Sequence, residues 1–250
     1  MPRRLAGLAA FNLAGLLVAA GLAALGTWQV QRRAWKLDLI ARVEARVHAA
    51  PVPAPGPAAW PGVSDADDSY RHVRVAGRFL HDEATLVQAL TELGSGSWAL
   101  VPLRTSEGFT VLVNRGFVPS EKRDPAYWRA PEGPVAVTGL MRMSEPGGAF
   151  LRANDPATDR WTSRDVAMIA KARGLETGLA IGPGEVAPYF IDAGAEGDGR
   201  RLPVGGLTVI AFRNHHLIYA ITWYVLALMA AGALVYVDLD FRSKASSGKS

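Results

Sequence analysis

Cysteine is absent from all 250 residues. That absence removes disulfides, thiolate nucleophiles, zinc–thiolate centres and iron–sulfur clusters together. Histidine is scarce, with five residues, and His48, His72 and His81 show no helical or hairpin metal-ligand spacing. No charge of one sign dominates: 27 basic against 23 acidic residues leave +4. No run of bases alternates with aromatics, so nucleic acid is not an expected partner, and the basic residues suit anionic lipid better. A phosphate-binding loop is missing. So is a Gly-x-Ser-x-Gly elbow, since Gly94-Ser95-Gly96-Ser97 is one residue out of step. Asn114-Arg115 and Arg164-Asp165 are candidate anion contacts, but such pairs more often fix turns and internal ion pairs. Nothing here builds a hydrolase or a transferase.

What is present is two long apolar runs, one near each end. Leu5 to Gly26 holds one strongly polar residue, Asn12, and Leu217 to Val237 holds no charge. Each exceeds the ~18–20 residues that cross a bilayer as a helix. A cleaved signal peptide is the rival for the first run, with Arg3-Arg4 in front and Ala24-Leu25-Gly26 behind. Its apolar core is too long for the usual ~7–15 residues, so an uncleaved anchor is preferred. Arg3, Arg4, Arg242, Lys244 and Lys249 favour cytoplasmic termini, while Arg32, Arg33, Lys36 and Arg213 weigh against. Long loops translocate largely regardless of such charges, so the intervening domain is expected outside the cytoplasm.

The fold class expected is a membrane protein: a hairpin of two transmembrane helices with a β-rich α+β extracytoplasmic domain, for which a partly closed antiparallel barrel is one form. The boundaries read as a cytoplasmic N-terminus over 1–4, a first span over 5–27 and a juxtamembrane amphipathic helix over 28–48. A Pro-rich linker over 49–62, the β-rich domain over 63–213, a second span over 214–237 and a cytoplasmic tail over 238–250 follow. Trp28, Trp35, Leu39 and Val43 recur near helical spacing in the juxtamembrane segment. Pro51, Pro53, Pro55 and Pro57 predict an extended spacer. Strands are expected at Val73–Phe79, Thr85–Ala89, Trp98–Leu103, Phe109–Val118, Val135–Met141, Pro188–Asp192 and Leu207–Ile210, with Gly94–Ser97 as a turn. A short helix is expected over Asp165–Arg173, capped by Ser163 and ended by Gly174. Gly15 and Ala19, with Ala227 and Ala231, offer small faces through which the spans can pair.

The remaining histidines, His215 and His216, stand at the mouth of the second run. An imidazole at a membrane boundary is costly unless it meets water, a hydrogen-bond partner or a metal. His216, Tyr219, Ala220 and Trp223 fall at i, i+3, i+4 and i+7, on one side of a helix. That face would suit a flat macrocycle, with imidazole on iron, Ala220 leaving room and aromatics at the ring's edge. A pair of interfacial histidines with Tyr219 and Trp223 as headgroup anchors is the other reading.

Several blocks occurring in one order carry a resemblance. They are Gly26, Trp28-Gln29, Arg32, Trp35-Lys36 and Leu39-Ile40; Tyr70-Arg71, Val73 and Gly77-x-Phe79; and Val113-Asn114-Arg115-Gly116-Phe117-Val118-Pro119. Asn154-Asp155-Pro156, Trp161, Arg164-Asp165, Pro188 to Asp192 and Asn214 to Trp223 follow. Together they resemble the Surfeit-locus family of cytochrome c oxidase assembly proteins of mitochondria and aerobic bacteria. The resemblance implies a non-enzymatic membrane chaperone in the bacterial inner membrane, its main domain in the periplasm. It would bind haem a transiently and present it to oxidase subunit I, with haem a synthase a further partner. His216 aligns with the family's proposed haem ligand and would hold the iron. His215 stands where the family more often has asparagine, which leaves the choice between the two rings open. Phe117 replaces a common tryptophan, a change expected to affect packing alone. A haem-free scaffold for an assembly intermediate is the alternative, and a tethered extracytoplasmic enzyme with a polar pocket a remoter one.

Overall fold

A computed structural model of the chain describes residues 2–129, 132–148, 152–175, 186–195, 201–208 and 214–247, in two compact units, 1–42 with 211–250 and 43–210. The first unit is a pair of helices. α1 (Pro2–Val47) and α4 (His216–Ser247) are rich in alanine and leucine and hold no proline beyond Pro2, so nothing interrupts their ladders. α1 is one continuous helix, and the expected change at residue 28 is not a break. At 1.5 Å per residue its 46 residues make a rod of about 70 Å, against ~30 Å of hydrocarbon in a bilayer. Both helices are long and apolar enough to cross a membrane, with mean hydropathies of 2.1 and 2.0 in their apolar windows.

The pair packs through a seam of small residues. A Cβ at Gly15 would run into the Leu234 side chain, and one at Gly26 would come within 2.9 Å of the Tyr224 ring. Ala220 and Ala227 are buried opposite, whereas Ala231 faces out, so that member of the expected small-residue set does not serve the seam. Side-chain bonds pin the seam at both ends. Asn12 Nδ2 donates to Asp238 Oδ1 at 2.8 Å, Thr27 Oγ1 lies 3.0 Å from Tyr224 Oη, and Gln29 meets His216. Away from the seam, Leu13, Leu16, Val18, Ile218, Leu228 and Met229 are exposed.

The second unit is a β-barrel. Its strands are β1 (Val52–Pro53), β2 (His72–Phe79), β3 (Thr85–Thr91), β4 (Gly94–Thr105), β5 (Thr110–Pro119), β6 (Pro134–Met143) and β7 (Val186–Ala193). They run in the order β1-β2-β6-β7-β5-β4-β3, and a further β2–β4 pairing closes five of them into a barrel. The barrel is closed, where partial closure was expected, and it is not wholly antiparallel: β7 runs parallel to β5. The chain passes through β6 between β5 and its parallel neighbour β7, and this gives the long connection that parallel pairing requires.

Alternation explains the interior. Val73, Leu103, Val111, Val113, Val137, Met141, Tyr189 and Ile191 fill one core. The opposite faces of β4, β5 and β7 send Leu100, Leu112 and Phe190 into a second core with Val87, Trp161 and the helix α3 (Val166–Ala172). β5 is therefore buried on both faces, which is why its sequence reads as a nearly unbroken apolar run.

Local chemistry moves several expected boundaries. Gly94–Ser97 is the start of β4, and the two-residue turn is Glu92-Leu93. Asp165, not Ser163, caps α3 by accepting from Met168 N at 3.1 Å. Gly174, at φ +64°, ends the helix as expected. The prolines do not form a free spacer: Val52–Pro53 pairs with β2, and Pro55 O accepts from Trp60 Nε1 at 2.8 Å and Tyr189 Oη at 2.6 Å. Burial also holds the Tyr189 phenol above its ordinary range. Leu207 and Thr208 are not in a strand, and residues 209–210 of that expected strand lie outside the described residues.

Candidate functional site

Two constellations stand out, one in each unit. In the barrel, Asp192 on β7 is a buried carboxylate that gathers four donors. Asn114 Nδ2 donates to it at 2.8 Å, Arg142 Nη1 at 3.0 Å, Arg164 Nη1 at 3.3 Å and Thr208 Oγ1 at 3.0 Å. Arg164 also grips Glu145 through two bonds of 2.6 and 3.0 Å, and Asn114 Oδ1 accepts from Gly116 N at 3.1 Å. Both guanidiniums lie over the Phe190 ring. A cleft of about 200 Å³ opens beside the cluster, lined also by Trp98 and Leu207.

The strand pattern places these groups. β5, β6 and β7 are adjacent, and Leu140 of β6 pairs with Asp192, so Arg142 lies two residues along the same face. The donors in this cluster point at acceptors within it. Arginine was expected to make internal ion pairs at Arg164, and it does so here, with Asp192 and Glu145. The cluster fixes β6, β7 and the 201–208 segment to one another. Asp192 spends both its oxygens on protein donors.

A larger cleft of about 490 Å³ lies where Arg78, His81, Arg104, Arg129 and Glu132 meet. There the His81 ring is held below its ordinary proton affinity, first by burial and then by the Arg115 and Arg129 cations. Arg129 pairs with Asp82 at 3.3 Å and Arg173 with Asp159 at 2.5 Å, so part of the basic lining is already compensated.

The second constellation is at the histidine end of the helix pair. His216 opens α4 half-buried, and its Nδ1 stands 2.7 Å from Gln29 Oε1 of α1. Its Nε2 makes no hydrogen bond among the described residues. One turn on, Ala220 is 2% exposed against α1, and Trp223 is half-buried on the same face. Tyr219 turns out of the seam at 55% exposed, and His215 is exposed too. The expected wall therefore divides: His216, Ala220 and Trp223 share the packed face, whereas Tyr219 and His215 do not. Asn214 Oδ1, two residues before His216, is buried without a hydrogen-bond partner.

Gln29 was not singled out from sequence for any role. The only signal was its place in the Trp28-Gln29 block, one turn beyond the last glycine of the apolar run. The donor set suits one kind of metal group. Among the described residues no three His, Asp or Glu side chains come together as a metal site. A macrocycle that brings four nitrogens of its own asks the protein for one axial donor, a role that His216 Nε2 would fit.

Two long apolar helices packed antiparallel, joined in sequence through a closed five-strand barrel and carrying two histidines at one end of the pair, define a two-helix barrel protein. Comparison with known proteins makes this specific. The chain belongs to the SURF1 family, whose model matches residues 16–228. It is 36% identical over 233 residues to human Surfeit locus protein 1, a match covering 85% of this chain and 72% of that one. A SURF1-like protein of Monosiga brevicollis is 36% identical over 230 residues, covering 85% and 82%. Surfeit locus protein 1 of Takifugu rubripes is 32% identical over 229 residues, covering 84% and 89%.

Proposed function

We propose that this chain is an assembly factor for cytochrome c oxidase that holds haem a at the end of its helix pair and presents it to subunit I. Membership of the SURF1 family supports the oxidase role, and assembly factors of this family are generally not enzymes. The observation that carries the haem reading is the His216 ring, fixed through Nδ1 by Gln29, with no hydrogen bond to its Nε2 among the described residues. Haem would bring iron with four pyrrole nitrogens, and His216 would provide an axial nitrogen. Trp223 and Ala220 shape the face beside it, and the exposed Tyr219 can meet only the edge of a ring. His215, outside the seam, is the second candidate donor. A site flanked by exposed Leu217 and Ile218 also suits a macrocycle with a long apolar tail.

The test is co-production with haem a followed by a pyridine-haem spectrum. The wild type is expected to carry haem, His216→Ala to lose most of it, and His215→Ala to keep it. Full retention in His216→Ala overturns the ligand assignment. The exposure of Tyr219, which removes one aromatic from the expected wall, favours a second reading, a haem-free scaffold. That reading gains if the wild type never carries haem.

The helix pair is the membrane anchor in this proposal. Apolar side chains surround both helices, and an apolar surface of that extent suits lipid. The termini would lie in the cytoplasm and the barrel in the periplasm, in a bacterial inner membrane, with haem a synthase a candidate donor of cargo. A reporter enzyme fused after Ser250 is expected to be active only in a cytoplasm-dependent form. A periplasm-dependent signal there would reverse the topology.

A further inference from the structure

We propose that Gln29 is a positioning residue that sets both the tautomer and the aim of the His216 ring, an inference that rests on His216 being the haem ligand. Gln29 Oε1 faces Nδ1 at 2.7 Å. With the amide oxygen, which only accepts, turned to it, Nδ1 of a neutral ring carries the hydrogen and Nε2 the lone pair. Neutral histidine in water prefers the opposite tautomer, with its hydrogen on Nε2. The contact with α1 therefore reverses the resting preference of the ring and makes Nε2 a donor to a metal rather than to water.

Three features keep the carbonyl where it is. Gln29 and His216 lie on the packed faces of α1 and α4, 187 positions apart in sequence. Gly26 and Ala220, one turn further into the seam, are buried, and a Cβ at Gly26 would meet the Tyr224 ring. Thr27 and Tyr224 close a second bond beside them at 3.0 Å. The backbones thus cannot separate at this end without breaking two polar contacts. An Nδ1–H bonded to an oxygen acceptor is the arrangement by which metal-bound histidines gain a fixed ring orientation and a more basic donor nitrogen.

The experiment uses the full-length protein in detergent, first without haem. Nitrogen spectra of isotope-labelled histidine at neutral pH are expected to show the His216 hydrogen on Nδ1, with the exposed His215 as an internal reference. In Gln29→Leu the hydrogen should move to Nε2. The same proteins are then produced with haem a. Gln29→Leu is expected to hold it about 10–100-fold more weakly and at a higher reduction potential, because its axial nitrogen is less basic. Gln29→Glu, a stronger acceptor, should lower the potential below that of the wild type. Opposite shifts from two substitutions of one residue do not follow from altered packing. A wild-type hydrogen on Nε2, or one potential shared by all three proteins, overturns the proposal. Retention of haem by His216→Ala overturns the ligand reading instead, and the two failures are separable because the nitrogen spectrum needs no haem.

Discussion

Asp192→Ala is expected to destabilise the barrel by about 3–5 kcal/mol, because removing one partner of a buried ion pair leaves the others desolvated and uncompensated. The Asp192 side chain is 3% exposed, against 18% for Arg142 and 14% for Arg164. Arg164 keeps its short bonds to Glu145 when Asp192 is lost, so its charge stays paired. Arg142 keeps only a 3.4 Å contact with the same Glu145 and carries most of the cost. Asn114 Nδ2 and Thr208 Oγ1 lose their acceptor as well. Asp192→Asn preserves the shape yet turns an NH₂ toward donors, so it should recover little. Thermal unfolding of the purified protein would measure both. If Asp192→Ala and Asp192→Asn melt within a degree or two of the wild type, the cluster is not what fastens β6 to β7. The comparison with Arg164→Met is informative, since Glu145 and Asp192 would then both retain Arg142, and a smaller loss is expected.

That cluster was not visible in the sequence, and the reason is distance along the chain. Asn114, Arg142, Arg164 and Asp192 span 78 positions from first to last, and nothing in their local patterns says that β5, β6 and β7 will be neighbours. Alternation identifies β2, and short runs of strand-forming residues identify β5 and β7, because each strand's burial is written in its own residues. The parallel entry of β7 beside β5 depends on how residues 144–185 travel, which alternation does not encode. A similar gap separates the helix face from its members. His216, Ala220, Trp223 and Ala227 lie within about 60° of one another on the wheel, whereas Tyr219 lies roughly 60° from His216 and about 100° from the buried Ala220. Spacing alone placed all of them on one side, and only the partner helix decides which edge of that side is covered. The prolines show the same limit. Their fixed φ predicts an extended segment, which holds at Val52–Pro53, whereas Pro57 opens a 3-10 helix over Pro57–Gly62, and that Pro55 O would satisfy Trp60 and Tyr189 depends on long-range packing. Gln29 was readable as part of a block and not as a partner of His216, 187 positions away.

Gly77→Val is expected to open the barrel, against the sign that strand propensity alone would give. In an ordinary strand, valine for glycine should gain up to ~1 kcal/mol. Gly77 is the residue at which β2 pairs with Val135 of β6 on one edge and with Thr105 of β4 on the other. There β2 is shared between both neighbours as the five-strand ring closes. A Cβ would overlap the Arg104 carbonyl oxygen and lie 2.9 Å from its carbonyl carbon and from Thr105 Cα. These are backbone atoms of β4, which is itself paired to β5, so they cannot yield without breaking a second ladder. Even alanine should therefore cost more than about 2 kcal/mol, in the range of steric insertion into a packed interior. Valine should cost enough to break the β2–β4 pairing altogether. The control is Gly62→Ala, where nothing lies within 4 Å of an added Cβ, and it should be nearly neutral. Hydrogen exchange of the Leu80 and Ser106 amides, which donate to Pro102 O at 2.8 Å and to Ala76 O at 3.0 Å where β2 meets β4, reads the closure directly. Protection equal to the wild type in Gly77→Val would mean that β4 can step aside, and the closed barrel would then not depend on the missing side chain.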